Sequence, residues 1–320
     1  MKALVTGATG PVGQAVVARL IAKGHDATIV SRRPFLAERL FAEPVAIHEW
    51  HPLSELLSPA AIGDCDTVLS LMGSPLAGGP SRDRERLAIA SRTKAIQRIG
   101  VATTGRHPRV VVASLAMAPA GPGEPLHEDA AATAPYSPQA RVVTAWETEA
   151  LSLRGGERSV AIVRLGLVAA DNYVVRELVR LARIGIVPNL KDALIPAIGL
   201  EDAAKMLVGV LQQPAIEGLV HGVAPSPVKG EAVMTALRTL SPVAKPLVLP
   251  LSLLRRRLGL AVALLGCKRQ IIPQALQQAG ADFGAPDPTE QLVQVFSRLG
   301  GGEATCSPSP EPSLALRRQP

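Results

Sequence analysis

The chain has 320 residues, a length that suits one elaborated α/β domain or a large domain joined to a smaller one. Hydrophobic residues make up 47% and charged residues 19%, which excludes a wholly disordered chain, while an aromatic share of only 2% argues against a nucleic-acid surface of stacked rings. The formal net charge of +7 leaves two interpretations open, a solvated basic surface and a pocket for an anionic ligand.

The first thirty residues predict a strand, a glycine-rich turn, a helix and a second strand. An apolar run over Lys2–Thr6 leads into the glycine-rich stretch, apolar residues then recur at helical spacing up to Gly24, and a strand follows over Ala27–Val30. Further strands are predicted at Thr67–Leu71, Arg109–Ser114, Val160–Leu165 and Gly218–Val223, and further helices at Arg82–Ile99, Ala140–Leu153, Tyr173–Ile184 and Glu201–Leu211. In the helix from Arg82, the spacing predicts Leu87, Ala90, Ala95 and Ile96 on the buried face. This alternation is typical of a doubly wound parallel sheet of the Rossmann-like α/β class.

Other segments depart from this alternation. The Pro-, Gly- and Ala-rich stretch 118–138 is predicted as a loop after a strand end, where open α/β sheets bind ligands, and 188–196 as a second loop. Late helices are predicted at Lys229–Leu240, Ile271–Gln278 and Thr289–Leu299. We therefore expect a nucleotide-binding domain over 1–223 with a substrate-side excursion at 167–200, a small C-terminal domain over 224–299, and a disordered tail over 300–320 that is dispensable for folding.

Targeting, metal and disulfide signals are missing from the sequence. The N-terminus enters a strand directly, and three arginines interrupt the apolar stretch Pro246–Gly266, so we expect a soluble cytoplasmic protein without a membrane partner. Three distant cysteines and six scattered histidines, among them the near neighbours His48 and His51, lack ligand spacing, which predicts neither disulfides nor a metal site. With no long basic helix, a nucleic-acid partner is not expected either.

The glycine-rich stretch is the most specific motif. Its glycines stand three residues apart, so that the backbone makes a tight turn, a pyrophosphate approaches closely, and the following helix points free N–H groups at it. Because the motif follows a strand and opens a helix, we interpret it as a dinucleotide-binding turn rather than a merely structural one. The residues assigned to it are Thr6, Gly7, Thr9, Gly10, Pro11, Val12 and Gly13.

The end of the second strand indicates which dinucleotide would bind. An acidic residue there would bind ribose hydroxyls and repel a 2′-phosphate, whereas arginine attracts that phosphate. The sequence has Ser31, Arg32 and Arg33 and no carboxylate, which favours NADP(H) over NAD(H), although either arginine could be an ordinary solvated loop residue.

These residues resemble a known family. The stretch Thr6–Gly13 is similar to the extended short-chain dehydrogenase/reductase superfamily, and further motifs resemble epimerase-family proteins with a small C-terminal domain of unknown function. They are Leu71-Met72-Gly73-Ser74-Pro75-Leu76, Ser91-Arg92, Ala145-Trp146-Glu147, Ile198-Gly199-Leu200-Glu201-Asp202, Val223–Val228 and Gly280–Gly284. The resemblance spans roughly residues 1–299. It implies a Rossmann fold with an NADP-type cofactor that Leu71, Met72 and Gly73 also contact, and a small-molecule substrate that the family does not identify.

The superfamily's proton-transfer residues are only partly present. Carbonyl chemistry there uses a Ser or Thr after a strand and a Tyr and Lys four residues apart, because the cation lowers the phenol's pKa. Ser114 matches the hydroxyl position, with an ordinary strand-terminal serine as the alternative. No Tyr–Lys pair stands in frame, and Tyr136 is one position displaced, so it is a catalytic candidate or a surface loop aromatic.

Further changes point to an unusual substrate cleft. Ala118-Pro119 and Ala197-Ile198-Gly199 stand where relatives carry aromatic and donor residues, which predicts a wider, more apolar cleft. Trp146 is expected in the core, Glu147 on the helix surface or in the pocket, and Asp202 at a helix start where it favours the helix dipole.

Two functions remain: an NADP-dependent oxidoreductase or epimerase acting on a small carbonyl or hydroxyl compound, and a dinucleotide-binding sensor or scaffold with little chemistry.

Overall fold

The computed structural model describes residues 1–41, 45–73, 82–117, 122–128, 138–155 and 158–301. Its strands are β1 Lys2–Thr6, β2 Asp26–Ser31, β3 Ala46–Glu49, β4 Thr67–Ser70, β5 Arg109–Leu115, β6 Val160–Leu165, β7 Leu167–Ala169, β8 Ile186–Pro188, β9 Leu194–Ile195, β10 Ala197–Gly199, β11 Gly218–Gly222, β12 Val228–Lys229 and β13 Leu247–Leu249. Its helices are α1 Pro11–Ala22, α2 Pro34–Leu40, α3 Pro59–Ile62, α4 Arg82–Ala102, α5 Pro138–Leu151, α6 Tyr173–Arg183, α7 Leu200–Gln212, α8 Gly230–Thr239, α9 Leu251–Leu258, α10 Val262–Leu265, α11 Gln274–Gln278 and α12 Thr289–Gly300.

Seven of the described strands form one parallel sheet in the order β11-β6-β5-β4-β1-β2-β3. Its connections run through helices that cover both faces, so the predicted doubly wound, Rossmann-like α/β fold is confirmed. The carboxyl ends of β1 and β4 lie side by side at the point where the strand order reverses, which is where such sheets bind ligands.

Each face of the sheet has its own core. On one face, α1 and α7 cover strand residues such as Val5, Val111 and Val163. On the other, α4 and α5 cover Leu4, Val112 and their neighbours. Because successive strand residues point to opposite faces, a one-residue shift along β5 decides which side of the sheet a group occupies.

The buried Arg109 fixes β5 to the turn that precedes β11. Its guanidinium donates from Nε to the Val210 carbonyl at 2.7 Å and from Nη2 to the Ile216 carbonyl at 2.6 Å, and burial lowers its pKa. These charge-assisted bonds join β5 to a carbonyl in the last turn of α7 and to a carbonyl of the segment that leads into β11.

The remaining part of the chain packs around a separate core. The excursion after β6 and the C-terminal helices share it, with Leu178 of α6 and Phe296 of α12 fully buried. Short strand pairs link the two segments, β8 with β13 and β9 with β12, while β7 pairs with β10. The division of the chain at residue 223 stays a prediction.

The structure corrects several details of the predicted elements. Leu87 is 45% exposed rather than inward, because the buried face of α4 is centred on Ala88, Arg92 and Ala95. The predicted loop 188–196 contains short strands, and the predicted helix from Ile271 begins only at Gln274, since Ile271 forms a β-bridge with Leu126.

The last described helix, α12, ends close to the predicted start of the C-terminal tail. Helix α12 includes Gly300, and Gly301 ends it at φ +82, so these two residues belong to the helix end, while the rest of the predicted tail, 302–320, lies outside the described residues. Within the described ranges, no helix has both the length and the apolar character that crossing a bilayer requires.

Candidate cofactor and substrate site

The turn between β1 and α1 has the geometry of a phosphate cradle. Gly7 adopts φ +73, and a Cβ on it would lie 2.9 Å from the Leu71 carbonyl carbon, so the residue must be glycine. A Cβ on Gly13 would lie 2.5 Å from the Ala8 Cα, which explains the close packing of helix on strand. A Cβ on Gly10, in contrast, would meet only the Gly7 carbonyl, at 3.5 Å. The protein itself does not require glycine at position 10, and the open space above it suits a pyrophosphate at the start of α1.

A cavity of about 370 Å³ lies on one side of this turn. It is lined by Gly7, Thr9, Gly10, Val30, Ser31, Arg32, His51, Pro52, Leu53, Ser54, Leu71, Met72, Gly73 and Ser91. It therefore brings together eight of the residues predicted to hold the cofactor. Arg33 is not among the lining residues, and its backbone N–H donates to Ser31 Oγ at 3.1 Å.

The loop His51–Ser54 after β3 was missed from the sequence. Arg98 of α4 holds it by donating to the carbonyls of His51 and Leu53, both at 3.3 Å. Trp50 anchors the loop from below, since it is 1% exposed and its indole N–H donates to the Glu55 carbonyl. The sequence could have indicated this loop only through the strand order, because the carboxyl end of a third parallel strand, β3, must lie at the same edge of the sheet as those of β1 and β2.

A buried cation lies behind the wall of this cavity. The Arg92 guanidinium packs 4.5 Å above the Trp146 ring and donates from Nη1 to the Ala88 carbonyl at 3.1 Å. Burial lowers the pKa of Arg92 to about 10, so it keeps its charge at neutral pH. It also occupies the space that a side chain at Gly73 would need. Trp146 lies in the core, as predicted.

A second cavity, of about 360 Å³, lies on the other side of the turn and shares Gly7, Gly10 and Leu71 with the first. Its lining is mostly apolar and comprises Gly7, Gly10, Pro11, Val12, Gly13, Leu71, Leu115, Leu165, Gly166, Leu167, Val168, Asn172, Tyr173, Val174, Ala261 and Leu264. The polar side chains in this set are bonded to the protein itself. Asn172 caps α6 by accepting from the Val175 N–H at 3.1 Å, and the Tyr173 hydroxyl donates to the Arg257 carbonyl at 3.2 Å.

Ser114 lies in a buried polar cluster rather than in the lining of either cavity. Its hydroxyl donates to Glu147 Oε1 at 2.8 Å, and Arg164 binds the same carboxylate from Nε at 2.8 Å and from Nη2 at 2.7 Å. The three residues are 4%, 7% and 8% exposed. The next residue, Leu115, lines the apolar cavity, because neighbouring strand residues face opposite sides. Glu147 is thus a buried ion-pair partner and not a helix-surface charge.

Two further polar residues bind the C-terminal segment through its backbone. Asp202 accepts the backbone N–H groups of Gly284 and Ala285 at 2.8 and 2.9 Å, so it ties down the C-terminal segment in addition to standing at the start of α7. His221, 3% exposed, hydrogen bonds through Nδ1 to the Ile272 carbonyl at 2.9 Å. Burial lowers the pKa of His221 and favours the neutral ring, with the proton on Nδ1.

Tyr136 lies outside the described residues, so the structure says nothing of its position. Among the residues that are described, no three His, Cys, Asp or Glu side chains come together as a metal site.

Comparisons with known proteins show the family and the fold. Residues 3–179 match the model of the NAD dependent epimerase/dehydratase family. The human epimerase family protein SDR39U1 is 24% identical over 307 residues, covering 93% of this chain and 100% of the relative. The chloroplastic homolog from Arabidopsis thaliana is 24% identical over 297 residues, covering 88% of this chain and 83% of the relative.

Solved structures share the fold. The crystal structure of human SDR39U1 isoform 2 with NADPH aligns with a TM-score of 0.73 at 23% identity, covering 93% of this chain and 99% of that one. The UDP-glucuronic acid 4-epimerase from Bacillus cereus, in complex with UDP-glucuronic acid and NAD, aligns with a TM-score of 0.73 at 14% identity over 93% of this chain and 100% of that one.

Proposed function

This chain belongs to the NAD-dependent epimerase/dehydratase family, and on that premise we propose that it is an NADP(H)-dependent oxidoreductase or epimerase of a small carbonyl or hydroxyl compound. The observation that supports this best is the pair of cavities that meet over Gly10. A dinucleotide needs one groove for each half and an unobstructed backbone turn for the pyrophosphate between them, and this arrangement offers all three. When bound, such a cofactor supplies hydride transfer.

The preference for NADP(H) rests on the charge at the end of β2. Arg32 lines the first cavity, its side chain is exposed, and within the described residues it makes no ion pair. Ser31 offers a hydroxyl beside it, and among the described lining residues no carboxylate competes for ribose hydroxyls. Arg33 is exposed one residue further and lies within reach of the same end of the strand. A 2′-phosphate would therefore find donors and no repulsion.

Calorimetric titration with NADPH and NADH tests this assignment. We expect tighter binding of NADPH, and we expect Arg32→Ala with Arg33→Ala to reduce the preference while leaving NADH affinity unchanged. The matched control is Arg86→Ala, which removes an exposed arginine of α4 that lines neither cavity. Equal affinity of the unmodified protein for both cofactors would refute the NADP preference but not the dinucleotide site.

The second candidate function, a dinucleotide-binding sensor or scaffold with little chemistry, is favoured by one observation. The Ser114 hydroxyl is committed to Glu147, and the apolar cavity has no uncommitted acid or base in the described part of its wall. General acid–base assistance contributes roughly 10²–10⁴-fold to such reactions, so a chain without it reduces carbonyls slowly.

NADPH consumption with a panel of aldehydes and ketones separates the two functions. For the enzyme we expect turnover with apolar carbonyl compounds, lowered by Ser114→Ala if the serine orients the oxygen and nearly unchanged by Tyr136→Phe. For the sensor we expect full NADPH affinity without turnover across the panel. Loss of activity in Tyr136→Phe at unchanged NADPH affinity would identify Tyr136 as the proton donor and exclude the sensor.

A further inference from the structure

A surface outside the proposed site combines exposed apolar groups with cations. It consists of Ile184 at the end of α6 and of Val243, Leu247, Val248 and Leu253 on and around β13 and α9, and we call it the α9 face. These side chains are 66%, 48%, 58%, 37% and 65% exposed, respectively. Exposed apolar groups that cluster in this way mark an interaction surface more often than isolated ones do.

Direct contacts join the parts of the α9 face. Strand β13 pairs with β8, and the Leu247 N–H donates to the Gly185 carbonyl at 2.7 Å. Val243 packs over Gly185, since a Cβ there would lie 2.9 Å from Val243 Cγ2. Pro250 leads directly from β13 into α9, which buries Leu254 and Leu258 and turns Leu253 outward. The outward residues therefore belong to one continuous surface.

Basic side chains predominate in the segment that carries the α9 face, although one of them, Lys268, is paired with Asp192 at 3.6 Å. Between Glu231 and Asp282 the sequence contains no Asp or Glu, but it contains Arg238, Lys245, Arg255, Arg256, Arg257, Lys268 and Arg269. Lys245, Arg255 and Arg256 are exposed and, within the described residues, form no ion pair. The carboxylate facing α9 from α6 is the buried Glu177, which is occupied by Arg257 at 3.5 Å and Arg180 at 3.3 Å. The outer cations remain uncompensated.

We propose that the α9 face binds the surface of an anionic phospholipid bilayer. Cations attract the lipid phosphates, while the exposed leucine and valine side chains of the face enter the acyl boundary. A second copy of the chain fits less well, because a two-fold contact would bring the same cations against each other. Nucleic acid would pair with the arginines but leave the apolar side chains without a partner. The proposal concerns binding at the bilayer surface, and it departs from the sequence-based expectation of no membrane partner.

The position of the face gives the proposal a functional consequence, which rests on the proposed function. Ala261 and Leu264, just after α9, line the apolar cavity, and the backbone carbonyl of Arg257 in α9 accepts a hydrogen bond from the Tyr173 hydroxyl at that cavity's wall. A chain seated on a bilayer by this face would hold the cavity next to the membrane. The substrate class that fits is then an apolar carbonyl or hydroxyl compound dissolved in lipid.

Vesicle sedimentation of the full chain tests binding without any measurement of activity. Neutral phosphatidylcholine vesicles are compared with vesicles that also contain phosphatidylglycerol, at low and high salt. We expect binding only to the anionic vesicles and weakening by salt. Neutralising one cation should lower partitioning about fivefold, so Arg255→Gln with Arg256→Gln should lower it about 25-fold. Leu253→Ser should also weaken binding, whereas the control Lys94→Gln, which neutralises an exposed lysine of α4, should not.

Thermal melting and NADPH affinity of each variant show that it is folded, so a loss of vesicle binding is assigned to the face itself. The proposal is overturned by equal binding of the α9 variants and the unmodified chain, or by the absence of binding to anionic vesicles. It is also overturned if Leu253→Ser instead dissolves a dimer seen by light scattering. A duplex DNA affinity that depends on the two arginines but not on Leu253 would identify nucleic acid as the partner. If vesicles bind and no turnover is found, the membrane face stands and only the enzymatic proposal fails.

Discussion

The buried cluster of Ser114, Glu147 and Arg164 makes the most quantitative prediction. Replacing Arg164 with leucine removes both guanidinium bonds to the Glu147 carboxylate, at 2.8 and 2.7 Å, and leaves the Ser114 hydroxyl as its donor. The side chains of the pair are 10% and 9% exposed, so water cannot replace what is lost. We expect the free energy of unfolding to fall by about 3–5 kcal/mol, the usual cost of leaving a buried charge without its partner.

Removing both charges should cost much less than removing one. In Glu147→Leu with Arg164→Leu no ion remains to be solvated, and apolar replacement of buried pairs is often close to neutral. The Ser114 hydroxyl then lacks its acceptor, which should cost about 1–3 kcal/mol, and adding Ser114→Ala should recover most of that loss. The order of stabilities thus distinguishes an unpaired charge from lost packing.

Urea unfolding followed by tryptophan fluorescence is a suitable assay, because both tryptophans, Trp50 and Trp146, are buried and Trp146 adjoins Glu147. A single variant Arg164→Leu that loses less than about 1 kcal/mol would refute the reasoning, since the carboxylate would then be reaching water. So would a double variant as unstable as the single one, because lost packing rather than an unpaired charge would account for both.

Three other substitutions follow from the geometry. Gly10→Ala should fold normally but lose NADPH binding in a calorimetric titration. The control Gly13→Ala should instead lower the urea concentration at the unfolding midpoint. A Gly10→Ala protein that still binds NADPH would show that the pyrophosphate lies elsewhere. Asp202→Ala should cost about 1.5–3 kcal/mol and speed hydrogen exchange at the two amides it binds, and unchanged exchange there would contradict its role as a tether. Burial holds the pKa of His221 below the ordinary 6.5, so the folded state takes up this proton at a lower pH than the unfolded state does. The free energy of unfolding should therefore be at its full value above about pH 7 and fall as the pH drops below 6.5, by at most about 1.4 kcal/mol per pH unit. His221→Gln should flatten that part of the urea stability profile, and an unaltered profile would assign the pH dependence to other groups.

The parts of the fold that sequence reasoning predicted are those with strong local signals. The β1 turn, α1 and β2 follow from an apolar run, a glycine triplet and a helical period within thirty residues, and the cavity over them contains most of the predicted cofactor residues. The short strands β8 and β13 were missed because each has three residues and exists only through a partner about sixty positions away.

Side-chain roles that depend on partners far away in the chain could not be predicted from the sequence either. Ser114 occurs at the predicted strand end, but its direction is set by the pleat, and its acceptor Glu147 comes from a helix 33 residues later. Leu87 looks like a core position by its spacing, yet the face that α4 buries is set by the strands and by α5 against it. The loop His51–Ser54 has no motif at all, and only the strand order brings it to the cofactor cavity.

Helix α7 and strand β11 are synthesised late, and this affects how the nascent chain folds. Helix α7 packs on α1, and β11 closes the sheet beside β6, yet both lie beyond residue 179, where the family match ends. A ribosome working at about 5–20 residues per second needs roughly 2–9 s to add residues 180–222. During that interval the nascent chain displays the apolar flank of α1 and an unpaired β6 edge, both of which invite aggregation. Expression of the matched segment alone would leave it permanently in that state, so a stable fragment should extend at least through β11.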